Sequence, residues 1–156
     1  TIIMISVDVL SEEKNWSKKI KKGEFFFHLI CKSFPKEYQF FNKKIFLTLL
    51  LSNNKCIKKL NKEFRNKNKS TDVLSFPFEK KFKIKNKLYL GDIIISFNFM
   101  NKPKNQDIKI FKDKVIKIFI HGFLHLLGFD HVKSKDYKKI LKEEKKIYQA
   151  VIKKIY

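Results

Sequence analysis

A chain of 156 residues and 18.8 kDa is the size of one domain, residues 1–156, and large enough to build a core without disulfides. With 44% hydrophobic and 33% charged residues it is too apolar for disorder and too densely charged for an integral membrane protein. Its 36 basic and 15 acidic residues leave a formal net charge of +21, which either attracts a polyanion or decorates solvated faces of a chain shaped by an A+T-rich coding bias.

In chain order, Ile2 to Val9 is rich in β-branched residues and predicts a strand. The apolar run to Leu10 contains Ser6 and Asp8, with no basic region before it and no small-residue cleavage site. It is therefore expected not to be a signal peptide, and the protein is expected in the cytoplasm. From Trp16, apolar positions at Ile20, Gly23, Phe27, Ile30 and Phe34 predict one amphipathic helix ending near Pro35. Ile45 to Leu51 is a continuous apolar run of strand length. Asn54 can cap a short helix with Ile57, Leu60 and Phe64 on one face, followed by a polar loop from Asn66 to Ser70. Val73 to Phe78 and Leu88 to Phe97 read as two strands joined by a hairpin or projecting loop, Glu79 to Lys87.

Ile108 to Leu127 is apolar on nearly all sides, the mark of a core helix, and Gly128 can stop it in a left-handed conformation. Ser134 begins a last amphipathic helix with Tyr137, Leu141, Glu144, Tyr148 and Val151 along one stripe. Strands and helices mix without strict alternation, so the fold class is α+β, a small mixed β-sheet packed with helices. Cys31 and Cys56 lie far apart with no C-x-x-C spacing, which predicts reduced, packed thiols.

The chemistry concentrates in His121-Gly-Phe-Leu-His125-Leu-Leu-Gly128-Phe-Asp-His131. Residues four apart on a helix project from one face, so His121 and His125 can grip one ion. The turn at Gly128 can bring His131 to the same point. Three neutral imidazoles suit a divalent ion such as zinc and leave a fourth position for water or substrate, whereas a structural zinc wants four protein ligands. His28 has no such company and reads as an ordinary helix residue. Metzincin proteases share the spacing but carry glutamate after the first histidine, as general base. Gly122 stands there, which disfavours peptide hydrolysis and favours phosphodiester cleavage, where a metal polarises a phosphoryl oxygen and activates water.

The motif H-G-x-L-H-L-x-G-x-D-H resembles the signature of the YbeY family, single-domain bacterial metal-dependent endoribonucleases also called rRNA maturation factors. Leu60-Asn61 with Phe64-Arg65, the run from Ser70 to Pro77, and Leu90-Gly91-Asp92-Ile93 with Ser96 agree with it. The resemblance implies a fold that is metzincin-like around the metal. The implied activity is a zinc-dependent, single-strand-preferring endoribonuclease in 16S rRNA 3′-end maturation and ribosome quality control. It further implies one zinc per chain on His121, His125 and His131, Arg65 as the functional arginine, and single-stranded RNA, the small ribosomal subunit and a ribosome-associated GTPase as partners.

Arg65 is also the single arginine among the basic residues, and in so lysine-rich a chain a surviving arginine can mark a site that needs a planar fork for phosphate. Residues 53–87 carry net +9 around it, an RNA track or a solvated face. Asp72 and Asp92 sit beside apolar strands, as partners of the metal histidines or as caps for backbone amides; the structural role is favoured for Asp72, while Asp92 can also belong to a partner surface. Asp130 is a proton acceptor beside the last ligand or a helix-end cap. Two other functions compete with the enzyme. One is a ribosome-assembly factor with a metal site and little activity of its own, and the other is the disfavoured metalloprotease.

Overall fold

The computed structural model describes residues 4–39, 44–78, 83–84, 87–129 and 134–156. His131 and Asp130 lie outside the described residues, as does most of the connection from 79 to 87.

Strand β1 (Met4–Ser11) leads to two short helices, α1 (Asn15–Lys19) and α2 (Gly23–Lys32), where the apolar spacing predicts one. The break falls at Lys22, whose φ of 53° is left-handed, with Gly23 starting the new helix. It arises because Trp16 is anchored: its ring is buried, and its indole N–H donates to the Ser52 carbonyl at 2.9 Å. With α1 held there, the chain must turn before α2 can lay Phe27 and Ile30 across the sheet.

Strand β2 (Lys44–Ser52) buries Ile45, Leu47, Leu49 and Leu51 on one face. Helix α3 (Asn54–Arg65) is capped by Asn53, not Asn54, with Asn53 Oδ1 accepting from the Cys56 N–H at 3.0 Å. Asn54 instead accepts from Ser96 Oγ at 2.6 Å. Of its predicted apolar face Ile57 is buried and Leu60 half-buried, while Phe64 is exposed against the Phe76 ring.

Strands β3 (Val73–Pro77), β4 (Lys83–Ile84) and β5 (Lys87–Ser96) complete a mixed sheet in the order β1-β2-β5-β3, with β4 also on β5. β1, β2 and β5 run parallel, and β3 and β4 are antiparallel to β5, which makes the expected hairpin pairing. Between Phe46 opposite Tyr89 and Thr48 opposite Asp92 the register slips by a bulge. Gly91 sits in it at φ +136°, and a Cβ there would lie 2.3 Å from the Phe76 carbonyl oxygen. The extra residue re-phases the strand, so Leu90 and Ile93 both face the main core.

The strand ends at Ser96 and Phe97 starts the short helix α4 (Phe97–Met100), with its ring packed edge-on to Trp16. Helix α5 (Ile108–Leu126) then crosses the sheet, burying Phe111, Val115, Phe119 and Phe123. Gly128 follows at φ +99°. Helix α6 (Ser134–Ile155) buries Ile140, Ile147 and Val151, so the inward face is rotated from the predicted stripe and Tyr137 and Leu141 are exposed. Both rows fit helical spacing; the aliphatic one enters the core. The main core lies between the sheet and α2, α5 and α6, and a smaller cluster of Ile57, Leu74 and Ile94 seals α3 against the other face. Neither cysteine is bridged, and Cys31 is buried, which pushes its thiol pKa up.

Candidate active site

The last two turns of α5 run beside β3, and a close approach of backbone sets their spacing. Gly122 is buried, and a Cβ on it would stand 3.0 Å from Ile93 Cγ2 and 3.1 Å from Ser75 Oγ. The Ser75 hydroxyl donates to the Gly122 carbonyl at 3.0 Å. This position therefore has no room for the glutamate that a metzincin places there.

On the free side of that contact His121 and His125, one helical turn apart, are both half-buried. Their Nε2 atoms lie 3.0 Å apart. His121 Nδ1 meets the Glu144 carboxylate from α6. A carboxylate only accepts, so in a neutral ring the proton belongs on Nδ1 and the lone pair on Nε2.

The donor set fits a divalent ion of zinc's character. Zinc–imidazole bonds of about 2.0–2.1 Å let one ion reach two nitrogens so spaced, and a carboxylate behind a ligand histidine is a common support. Among the described residues no three His, Cys, Asp or Glu side chains converge, and the third histidine of the motif, His131, lies outside them.

Arg65 ends α3 on the opposite wall. Its Nη2 donates to the Ser75 carbonyl at 2.7 Å, and its guanidinium lies 5.5 Å from the Phe76 ring centre. Ser75 thus ties both walls together, its hydroxyl to α5 and its carbonyl to Arg65. A cleft of about 270 Å³ lies between them, lined by Arg65, Lys67, Lys69, Asp72, His121 and His125 among others. Its rim is shaped by Asn61, which is buried, donates through Nδ2 to the Lys69 carbonyl at 2.9 Å, and accepts at its own carbonyl from the Lys67 N–H at 3.2 Å. Asn66 turns that loop in the left-handed region at φ 56°.

The structure thus brings Arg65, His121, His125 and Asp72 to one cleft. Asp72, just before β3, accepts through Oδ1 from its neighbours, from the Val73 N–H at 2.8 Å and from Thr71 Oγ1 at 3.2 Å, the backbone-capping role. Asp92 is elsewhere. It takes the Tyr89 hydroxyl and lines a groove of about 510 Å³ with Leu10, Leu50, Phe64 and Phe76. His28 is exposed on α2.

In the sequence Asn61 and Ser75 stand out only as parts of motifs and Glu144 only as a stripe position. Glu144 did carry a signal, because a carboxylate in a row that packs inward needs a partner.

The family model described as "Endoribonuclease YbeY" matches residues 3–152. The chain is 66% identical over 152 residues to the endoribonuclease YbeY of Pelagibacter ubique (strain HTCC1062), covering 97% of this chain and 99% of that protein. It is 35% identical over 133 residues to the endoribonuclease YbeY of a Sulfurihydrogenibium species, covering 85% and 84%. A solution structure of a Thermotoga maritima protein superposes with a TM-score of 0.53 at 26% identity, covering 93% of this chain and 88% of that one.

Proposed function

The chain belongs to the endoribonuclease YbeY family, and from that membership we propose that it is a zinc-dependent, single-strand-preferring endoribonuclease. Its substrate is small-subunit rRNA, in 3′-end maturation and ribosome quality control. The observation that carries the reading is the cleft itself, where two convergent imidazole nitrogens and the chain's single arginine face one space.

His121, His125 and His131 would hold one zinc per chain, and when bound it would supply Lewis acidity toward a phosphoryl oxygen and activate a water for attack. Arg65 holds the scissile phosphate: one of its N–H donors is spent on Ser75, which fixes the fork, and the rest of the guanidinium stabilises charge that builds on the phosphoryl oxygens. Lys67 and Lys69 extend the positive rim along the RNA backbone, supported by the net +9 of residues 53–87. Sequence choice is left to the ribosome. The protein works in the cytoplasm with the small ribosomal subunit and a ribosome-associated GTPase. Among the described residues no helix is long and apolar enough to cross a membrane.

Arg65→Ala tests the reading. An enzyme loses cleavage of single-stranded rRNA 3′-end RNA by about 10²–10³-fold, the effect of removing one transition-state donor, while zinc content is unchanged. A binding factor with a vestigial site loses subunit affinity instead, or nothing.

A further inference from the structure

We propose that Glu144 is a positioning residue that fixes the tautomer and orientation of His121, presenting its Nε2 lone pair beside His125. This rests on the reading of His121 and His125 as metal ligands.

Three observations carry it. First, Glu144 lies in the row between Ile140 and Ile147, which are 1% and 0% exposed, where packing alone calls for an apolar residue. Only a quarter of its side chain is exposed, and a carboxylate so placed is costly unless its charge is answered. Second, the answer is His121 Nδ1. Because the carboxylate can only accept, the contact forces the proton to the ring nitrogen facing away from the cleft.

Third, Glu144 is held by tethers on both sides. Glu143 takes the hydroxyl of buried Tyr38, which ties α6 to the turn after α2, and Lys146 adds an exposed pair with Glu37 at 2.6 Å. One turn further, the Tyr148 hydroxyl donates to Asp113 of α5. The carboxylate is therefore placed by the packing of α6 and does not have to be ordered by an arriving ion. Preorganisation of this kind raises ligand basicity and spares the ion the cost of selecting a tautomer.

The test needs no RNA, so its failure is distinct from failure of the nuclease reading. Long-range proton–nitrogen spectra of the metal-free protein, recorded at a pH where they show the neutral ring, report which ring nitrogen of His121 is protonated. The wild type is expected to show Nδ1–H. In Glu144→Ala that preference is lost, and zinc affinity, measured by competition with a chromophoric chelator, falls about 10–100-fold. Glu144→Gln keeps an oxygen that can accept from Nδ1–H and recovers most of the affinity. A merely structural role would lower the melting temperature of both variants and leave tautomer and affinity alone. An Nε2–H ring in the wild type overturns the proposal whether or not the variants fold. So does a folded Glu144→Ala protein with zinc affinity within about twofold of wild type.

Discussion

Gly122→Ala is the smallest change that probes the contact on which the cleft is built, and two opposing effects set its outcome. In a helix interior, alanine is favoured over glycine by about 1 kcal/mol. Against this, the new methyl meets Ile93 Cγ2 at 3.0 Å and Ser75 Oγ at 3.1 Å, where carbon contacts are comfortable at about 3.5–4.0 Å. Neither neighbour yields easily. Ile93 is fully buried and β-branched on a strand paired on both sides, and Ser75 is hydrogen-bonded through both hydroxyl and carbonyl. Overpacking of this kind costs about 1–3 kcal/mol, so the net is a destabilisation of about 1 kcal/mol. For a domain of this size that lowers the melting temperature by about 2–4 °C. Urea and thermal unfolding measure it. RNA cleavage should fall as well, because any shift of Ser75 moves the carbonyl that holds Arg65. A Gly122→Ala protein as stable as wild type or more so would refute the close-contact reasoning, and with it the exclusion of a glutamate at this position.

Removing the α3 cap with Asn53→Ala should cost about 1 kcal/mol in urea unfolding, since one helix N–H loses its acceptor. Alkaline pH should destabilise the fold. Burial first, then hydrogen bonds to Asp92 and Asp113, push the Tyr89 and Tyr148 hydroxyls up to about 12 from 10.0. Because the folded values are raised, this stability is intact below pH 10 and is lost as pH climbs toward 12, read as a falling melting temperature that Tyr148→Phe makes shallower. Free zinc at about 100 times its dissociation constant should stabilise the protein by about 2.7 kcal/mol, an effect that chelator reverses and His121→Ala abolishes.

What was legible in the sequence was local. Two histidines four apart in an apolar helical run declare a shared face without reference to the rest of the chain, and the Nε2 atoms of His121 and His125 lie 3.0 Å apart. Alternation and apolar runs gave the strands, and the antiparallel return of β5 onto β3 followed from the short connection. What was hidden depended on partners distant in sequence. The helix break at Lys22 is set by Trp16 reaching Ser52, and the bulge at Gly91 by the backbone of β3. The choice between two plausible faces of α6 was made by the core it meets. Ser75 is legible in the sequence only as a member of the Ser70–Pro77 motif, and its role is not, because its links to Gly122 and Arg65 join three elements no periodicity connects.

The most direct test of the central claim is cleavage of a single-stranded RNA ending in a small-subunit rRNA 3′ sequence by metal-quantified protein, with His125→Ala prepared identically. The account predicts cleavage by the wild type with about one zinc per chain, and loss of both activity and metal in the variant. Equal cleavage by the two proteins, or none by a zinc-loaded wild type, would contradict it.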